Sequence, residues 1–299
     1  MMKSVKNAKW QNQYPGYFLC LILGIFLIAV SGIRVSAEEE SGEDLIQILL
    51  IGQDRREGQD RQRSDAMVLV TLNEEEKTLT LTSFMRDLYV DIPGYGKNRI
   101  NAAYQLGGME LLNRVLEESF DVQVDGNIEV DFSEFQSFID MIGGVDVTLT
   151  QDEADYICGR KQDVLYPQIY REDWNLTEGV NTLNGEQALI HARNRSIGNN
   201  DYRRTERQRE VIQGAFEKIK DADLKTVLSY VEKGFSMITT DMSKGEIAGY
   251  LMKGMLLGIT EAESIRIPQD GASTSKTING MQVLVPDLEL CREYLKENI

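Results

Sequence analysis

Histidine is almost absent: among 299 residues there is one, His191. A multi-histidine metal site is therefore excluded within one chain. Cysteine is nearly as scarce, with three residues, none in a Cys-x-x-Cys or Cys/His spacing that would hold zinc. Cys20 falls in an apolar run, which leaves Cys158 and Cys291 either to pair in an oxidising compartment or to stand as separate thiols. Acidic residues are missing from the first 37 positions, which hold Lys3, Lys6, Lys9 and Arg34. The remainder has 28 basic against 48 acidic residues, a net charge of −20. That sign argues against a general nucleic-acid binder, and no nucleic-acid partner is expected. There is no internal repeat.

The basic start explains itself once the next segment is read. Residues 17–33, YFLCLILGIFLIAVSGI, are long and apolar enough to cross a bilayer. Positive charge ahead of them keeps residues 1–16 in the cytoplasm and puts the rest outside. Val35-Ser36-Ala37 looks like a signal-peptidase site, so a cleaved signal peptide competes with a retained anchor. The length of the run favours the anchor, and with it a single-pass protein of the cell membrane. Residues 34–45 then form a linker, acidic from 38 to 44, and either way the domain at 46–299 is exported.

Within that domain strands and helices interleave without a composition break, which predicts one α/β domain with a central mixed sheet flanked by helices. Strands are expected at 46–50, 67–72, 78–83, 88–92, 128–130, 145–149, 264–267 and 282–285, the last two flanking a Gly/Ser/Thr loop. Helical patterning starts near Asn101, resumes after Gly107-Gly108 with Leu111, Leu112 and Val115, and recurs at 132–142, 184–192, 202–220, 224–235, 243–257 and from 287. Between 150 and 174 the periodicity is lost, which reads as an excursion or flap.

The stretch at 185–209, GEQALIHARNRSIGNNDYRRTERQR, is basic inside an acidic protein. It holds six arginines, Arg193, Arg195, Arg203, Arg204, Arg207 and Arg209, against Glu186, Asp201 and Glu206. On a helix Arg204 and Gln208 share one face, with Arg207 beside them. Guanidinium forks bind phosphate oxygens bidentately, so this is either a polyanion site or a solvated basic helix paired with the surplus carboxylates. A second set of charges lies upstream. Asp54 follows the first strand and Asp65 precedes the second; if the strands pair, both carboxylates reach one edge of the sheet and could share Mg²⁺, or simply face water. Arg86 and Asp87 end the third strand, and Arg99 opens the first helix. Carboxylates suited to Mg²⁺ together with arginines suited to phosphate describe a phosphoryl or pyrophosphate site.

The segments ILLIGQDRR, RSDAMVLVTLN, SFMRDLYVDIPGYG, RINAAYQLGG, VDFSEF, IGGVDV, LNGEQALIHARNR and DYRRTERQR, in this order, resemble the LytR-CpsA-Psr family of cell-envelope phosphotransferases. The resemblance implies a membrane-anchored extracytoplasmic enzyme. Its expected action is to join a polyisoprenyl-pyrophosphate-linked glycopolymer, of teichoic acid or capsular type, to peptidoglycan. It places Mg²⁺ on Asp54 and Asp65, and pyrophosphate on Arg86, Arg193, Arg195, Arg204 and Gln208, with Asp201 nearby. Arg99, which stands where the family often has lysine, is expected among the pyrophosphate contacts as well; Met85 replaces a proline and His191 a tyrosine. Asp201 is the candidate base, with Asp65 second. Arg209, which the family pattern does not single out, is expected to accept Lys with little effect. An isoprenoid tail needs a dry pocket, for which the apolar faces with Leu111, Leu112, Val115, Phe135, Phe138, Ile139 and Met141 are candidates; the alternative is plain core. Two other functions fit the same residues: a non-catalytic lipid-pyrophosphate-binding or regulatory envelope protein, and a pyrophosphatase acting on the carrier.

Overall fold

Six consecutive residues, Ile46 to Ile51, are buried in the first strand, β1 (Leu45–Gln53). Only a central strand covered on both faces buries such an unbroken run. β1 lies between an antiparallel partner, β2 (Ser64–Asn73), and a parallel one, β6 (Gly126–Asp131). β3 (Thr78–Phe84), β9 (Thr239–Thr240) and β10 (Glu263–Ile267) complete a mixed sheet of order β10-β3-β2-β1-β6-β9. The computed structural model describes residues 45–53, 61–161, 168–198, 200–220, 224–235, 238–259 and 262–299. The expected membrane segment at 17–33 and Asp54 lie outside the described residues. Among the described residues no helix is long and apolar enough to cross a membrane.

Strand alternation divides the interior in two. Ile48, Leu50, Val68 and Val70 face one core, and Leu49, Ile51, Met67 and Leu69 face the other. The first core is closed by side chains of α2 (Phe132–Met141), α3 (Gln151–Ile157), α4 (Gly185–Arg193) and α5 (Asn200–Lys220), joined by α6 (Leu224–Gly234) and α7 (Lys244–Leu257). The second is closed by α1 (Asn101–Phe120) and α8 (Leu288–Asn298). α1 carries a break at Gly108, φ 71°, where the sequence pattern pauses. Cys158 is buried in the first core and Cys291 in the second, and both are free thiols. The disulfide left open by the sequence is thus ruled out: the sheet separates the two sulfurs.

Several elements differ from expectation. The 150–174 excursion opens with α3, whose Thr150 and Glu153 cap each other's backbone N–H groups. Strand 88–92 does not extend the main sheet; β4 (Tyr89–Ile92) makes a separate hairpin with β5 (Gly96–Arg99). The Gly/Ser/Thr loop near the C-terminus contains β11 (Ser273–Ile278), paired with β12 (Met281–Pro286), and β7 (Val145–Leu149) pairs with an unforeseen β8 (Gly179–Leu183).

Candidate active site: an arginine-lined cavity

β1, β3 and β6 run in one direction, so their carboxyl ends share one edge of the sheet with the start of β2. Gly52 and Ala66 pair there, which places Asp65 at that edge, with Arg86 two residues past β3 and Phe132 just past β6. α4 and α5 bring the remaining parts. Asn184 caps α4 in a reciprocal box with Gln187, and Gly185 lies so close to the Gln136 carbonyl of α2 that a side chain there would collide with it. The helix therefore ends at Arg193, and both Arg193 and Arg195, in the turn that follows, line the cavity.

The cavity, partly open to solvent, has a volume of about 630 Å³. One wall is Gly52, Asp65, Ala66, Arg86, Arg195 and Arg204, with Gln208 one turn beyond Arg204 on the same helix face. Arg193 lines it as well, with its guanidinium 4.2 Å from the centre of the Phe132 ring. The opposite end mixes Ile169, Leu189 and Ile190 with Gln136, Tyr156, Gln168 and the Arg171–Glu186 ion pair.

Charges alternate along the first wall. Arg86 donates to Asp65 at 2.8 Å, and its Nε lies 3.6 Å from Asp87 and 3.9 Å from Asp201. Asp201 Oδ1 is also 3.4 Å from Arg195 Nε and 3.1 Å from Arg204. Three guanidiniums thus converge on one carboxylate oxygen. Burial works against the charge on Arg86, but Asp87 first, then Asp65 and Asp201, more than offset it and raise its pKa. The buried Nε atoms of Arg86 and Arg204 make no hydrogen bond. Buried donors normally find partners, so a group rich in acceptors would complete this wall.

The structure therefore brings Asp65, Arg86, Arg193, Arg195, Arg204, Gln208 and Asp201 together. Arg99 is not among the residues lining the cavity: it pairs with Asp87 at 3.1 Å and donates to the Gln282 carbonyl. Its link to the site runs through Asp87. Arg207, expected beside Arg204, is instead fully buried against Glu153 at 2.8 Å, with its guanidinium directed at the Asn194 and Ile197 carbonyls. Arg209 is 8% exposed, and burial lowers its pKa. It is no surface arginine and cannot serve as a tolerant control. Leu111, Leu112 and Val115 belong to the core on the other face of the sheet, away from the cavity, whereas Phe135, Phe138, Ile139 and Met141 pack in the core on its own side. His191 is fully buried with Nε2 2.9 Å from Glu210. Phe132, Arg171, Glu186 and Glu153 were not singled out from the sequence. For Glu153 the signal was there, in the spacing Thr150-x-x-Glu153 ahead of an apolar pattern.

An α/β domain with an arginine-walled cavity at the carboxyl ends of its strands has the lining of a polyanion-binding site. The LytR_cpsA_psr family profile matches residues 30–298, and the chain belongs to that family. It is similar to the polyisoprenyl-teichoic acid–peptidoglycan teichoic acid transferase TagT of Bacillus subtilis, 37% identical over 61% of this chain and 55% of that protein. The match thus spans little more than half of that relative's length. It is 31% identical to the transferase TagU of Bacillus cereus, over 78% of this chain and 72% of TagU. Among solved structures, TagT with bound octaprenyl pyrophosphate lipid superposes with a TM-score of 0.65 at 26% identity, covering 88% of this chain and 94% of that one.

Proposed function

We propose that the protein transfers a glycopolymer from a polyisoprenyl-pyrophosphate carrier to peptidoglycan, with the diphosphate held on the arginine wall. The observation that carries this reading is the convergence of Arg86, Arg195 and Arg204 within 3.1–3.9 Å of one point, Asp201 Oδ1. Relatives named as teichoic acid transferases and a similar structure holding octaprenyl pyrophosphate lipid support the chemical class of the ligand.

Asp65 suits a hard cation: its carboxylate is partly exposed on the cavity wall and only one oxygen is held by Arg86. Among the described residues no group of three or more metal-binding side chains occurs. Mg²⁺ is commonly held by one or two carboxylates with substrate phosphates and water completing its shell. Asp65, and Asp54 from the sequence, would hold it, and it would supply charge stabilisation on the phosphate oxygens.

In the transfer, an acceptor sugar hydroxyl forms a new P–O bond at the sugar-bearing phosphorus. The bridging P–O bond breaks, and polyprenyl phosphate leaves. Arg86, Arg195 and Arg204 offset the charge that gathers on the phosphoryl oxygens, and Arg193, held against Phe132, and Gln208 orient the group. All three arginine contacts fall on Asp201 Oδ1, which leaves Oδ2 to take the hydroxyl proton. Phe132, Ile169, Leu189 and Ile190 give the tail an apolar start. The N-terminal apolar run would keep this site beside the membrane that carries the lipid.

The test is incubation of the purified protein with a lipid-pyrophosphate oligosaccharide, Mg²⁺ and peptidoglycan, followed by mass analysis. A covalent sugar phosphate on peptidoglycan, abolished by EDTA and restored by Mg²⁺, is the expected product. Free sugar phosphate would mean a hydrolase, and no product with retained lipid would mean a binding protein.

A further inference from the structure

Arg195 is carried by the short turn between α4 and α5, and that turn is gripped from behind by a charge that never reaches the cavity. The Arg207 side chain is fully buried. Its Nε donates to Glu153 at 2.8 Å, one terminal nitrogen donates to the Asn194 carbonyl at 2.9 Å, and the other to the Ile197 carbonyl at 2.7 Å. Those two carbonyls bracket Arg195 in sequence. Asn194 closes the turn from the inside, its own side chain accepting from the backbone of Ser196 at 2.9 Å and Ile197 at 3.3 Å. Glu153 in turn is 1% exposed and is held by Thr150 N–H at 2.9 Å and by Arg203 at 3.2 Å.

A buried ion pair is a poor device for stability alone, because desolvation consumes most of what the pair returns. Here the planar guanidinium meets Glu153 through Nε and one terminal nitrogen, 2.8 Å each, and both of its terminal nitrogens donate to carbonyls of one backbone turn. We propose that Arg207, fixed by Glu153, is a positioning residue for Arg195: it sets the 194–197 turn so that the Arg195 guanidinium meets the diphosphate beside Asp201. This rests on the diphosphate reading of the cavity. Lysine at position 207 keeps the charge next to Glu153 but cannot also hold two carbonyls in a plane.

The experiment is a double-mutant cycle on binding of farnesyl diphosphate to the purified protein. Arg207→Lys is expected to weaken binding about tenfold, close to the loss caused by Arg195→Lys in the parent. In the Arg207→Lys background, Arg195→Lys should then add less than about threefold, whereas Arg86→Lys, supported by Asp65 and Asp87, keeps its full effect. Asn194→Ala, which loosens the same turn and leaves the ion pair intact, should show the same non-additivity and carries the test if Arg207→Lys does not fold. Unchanged binding, or losses for positions 195 and 207 that multiply in full, would overturn the positioning role while leaving the diphosphate site standing. A parent protein that does not bind farnesyl diphosphate overturns the reading of the cavity and this role together.

Discussion

Arginine at positions 193, 195 and 204 differs from lysine in geometry rather than in charge. Each guanidinium presents a planar fork, and two of the three reach the same oxygen of Asp201 within 3.1–3.4 Å. Replacing any one by Lys keeps the charge and loses the fork, so each change should weaken lipid-diphosphate binding by about 1.5–3 kcal/mol, or more than tenfold. Arg114, more than half exposed and paired with Glu118 along α1, is the proper control and should accept Lys without effect. Equal small losses at all four positions, read by calorimetric titration with a polyprenyl diphosphate, would reduce the wall to a charged face. The identities of these residues were legible in the sequence, and so was the shared face of Arg204 and Gln208. That Arg207 and Arg209 turn into the protein was not. Spacing gives the angle between side chains on a helix, and only packing tells which angle points inward.

At the scale of elements, α3 is the support that the sequence pattern concealed. It is seven residues long, too short for a visible stripe, and it exists because its ends are tied. Burial would push the Glu153 carboxyl up, but the Thr150 N–H and then Arg207 reverse this and hold its pKa down to about 2. Glu210 is held low in the same way, against its burial, by His191 and Arg203. A depressed folded-state pKa contributes stability that is present above the unfolded value and lost as pH falls through the folded one. Thermal denaturation should therefore be nearly flat above about pH 5 and fall steeply between about pH 4.5 and 2. Glu153→Gln should shrink that acid dependence and cost on the order of 3 kcal/mol at neutral pH. A variant with the parent's acid profile would show that the carboxylate is not the titrating group. β8 and β11 were concealed for a different reason. GVNTL and STSKTI have few apolar residues, and each is a strand because a neighbouring strand offers it a ladder.

At the scale of the whole molecule, the charge asymmetry separates a basic start from a remainder, linker and domain together, that carries −20, and this is the arrangement an exported domain on a cytoplasm-facing anchor would have. Arg34 immediately after the apolar run is a poor approach to the cleavage site at Val35-Ser36-Ala37. The protein extracted from membranes should accordingly keep its N-terminal segment. N-terminal sequencing decides the matter, and a mature chain beginning at Glu38 would remove the anchor.

Local chemistry by itself determined the class of fold, the order of the main strands and helices, and the family to which the chain belongs, because hydrophobic period and short charged motifs are written in consecutive residues. The union of Asp65 with Arg86, and of both with Asp201, required the strands of 45–53, 64–73 and 78–84 to align and α5 to cross their ends. The first contact joins residues 21 positions apart, and the contact of Arg86 with Asp201 joins residues more than a hundred apart. The tertiary structure alone decided which arginines line the cavity and which stand behind it, and that the two cysteines lie on opposite faces of the sheet. The physical reason is the same in each case: burial and partner choice are properties of the packed interior, where the partners a long side chain finds, or a step of one residue along a strand, set the side of the wall on which it lies.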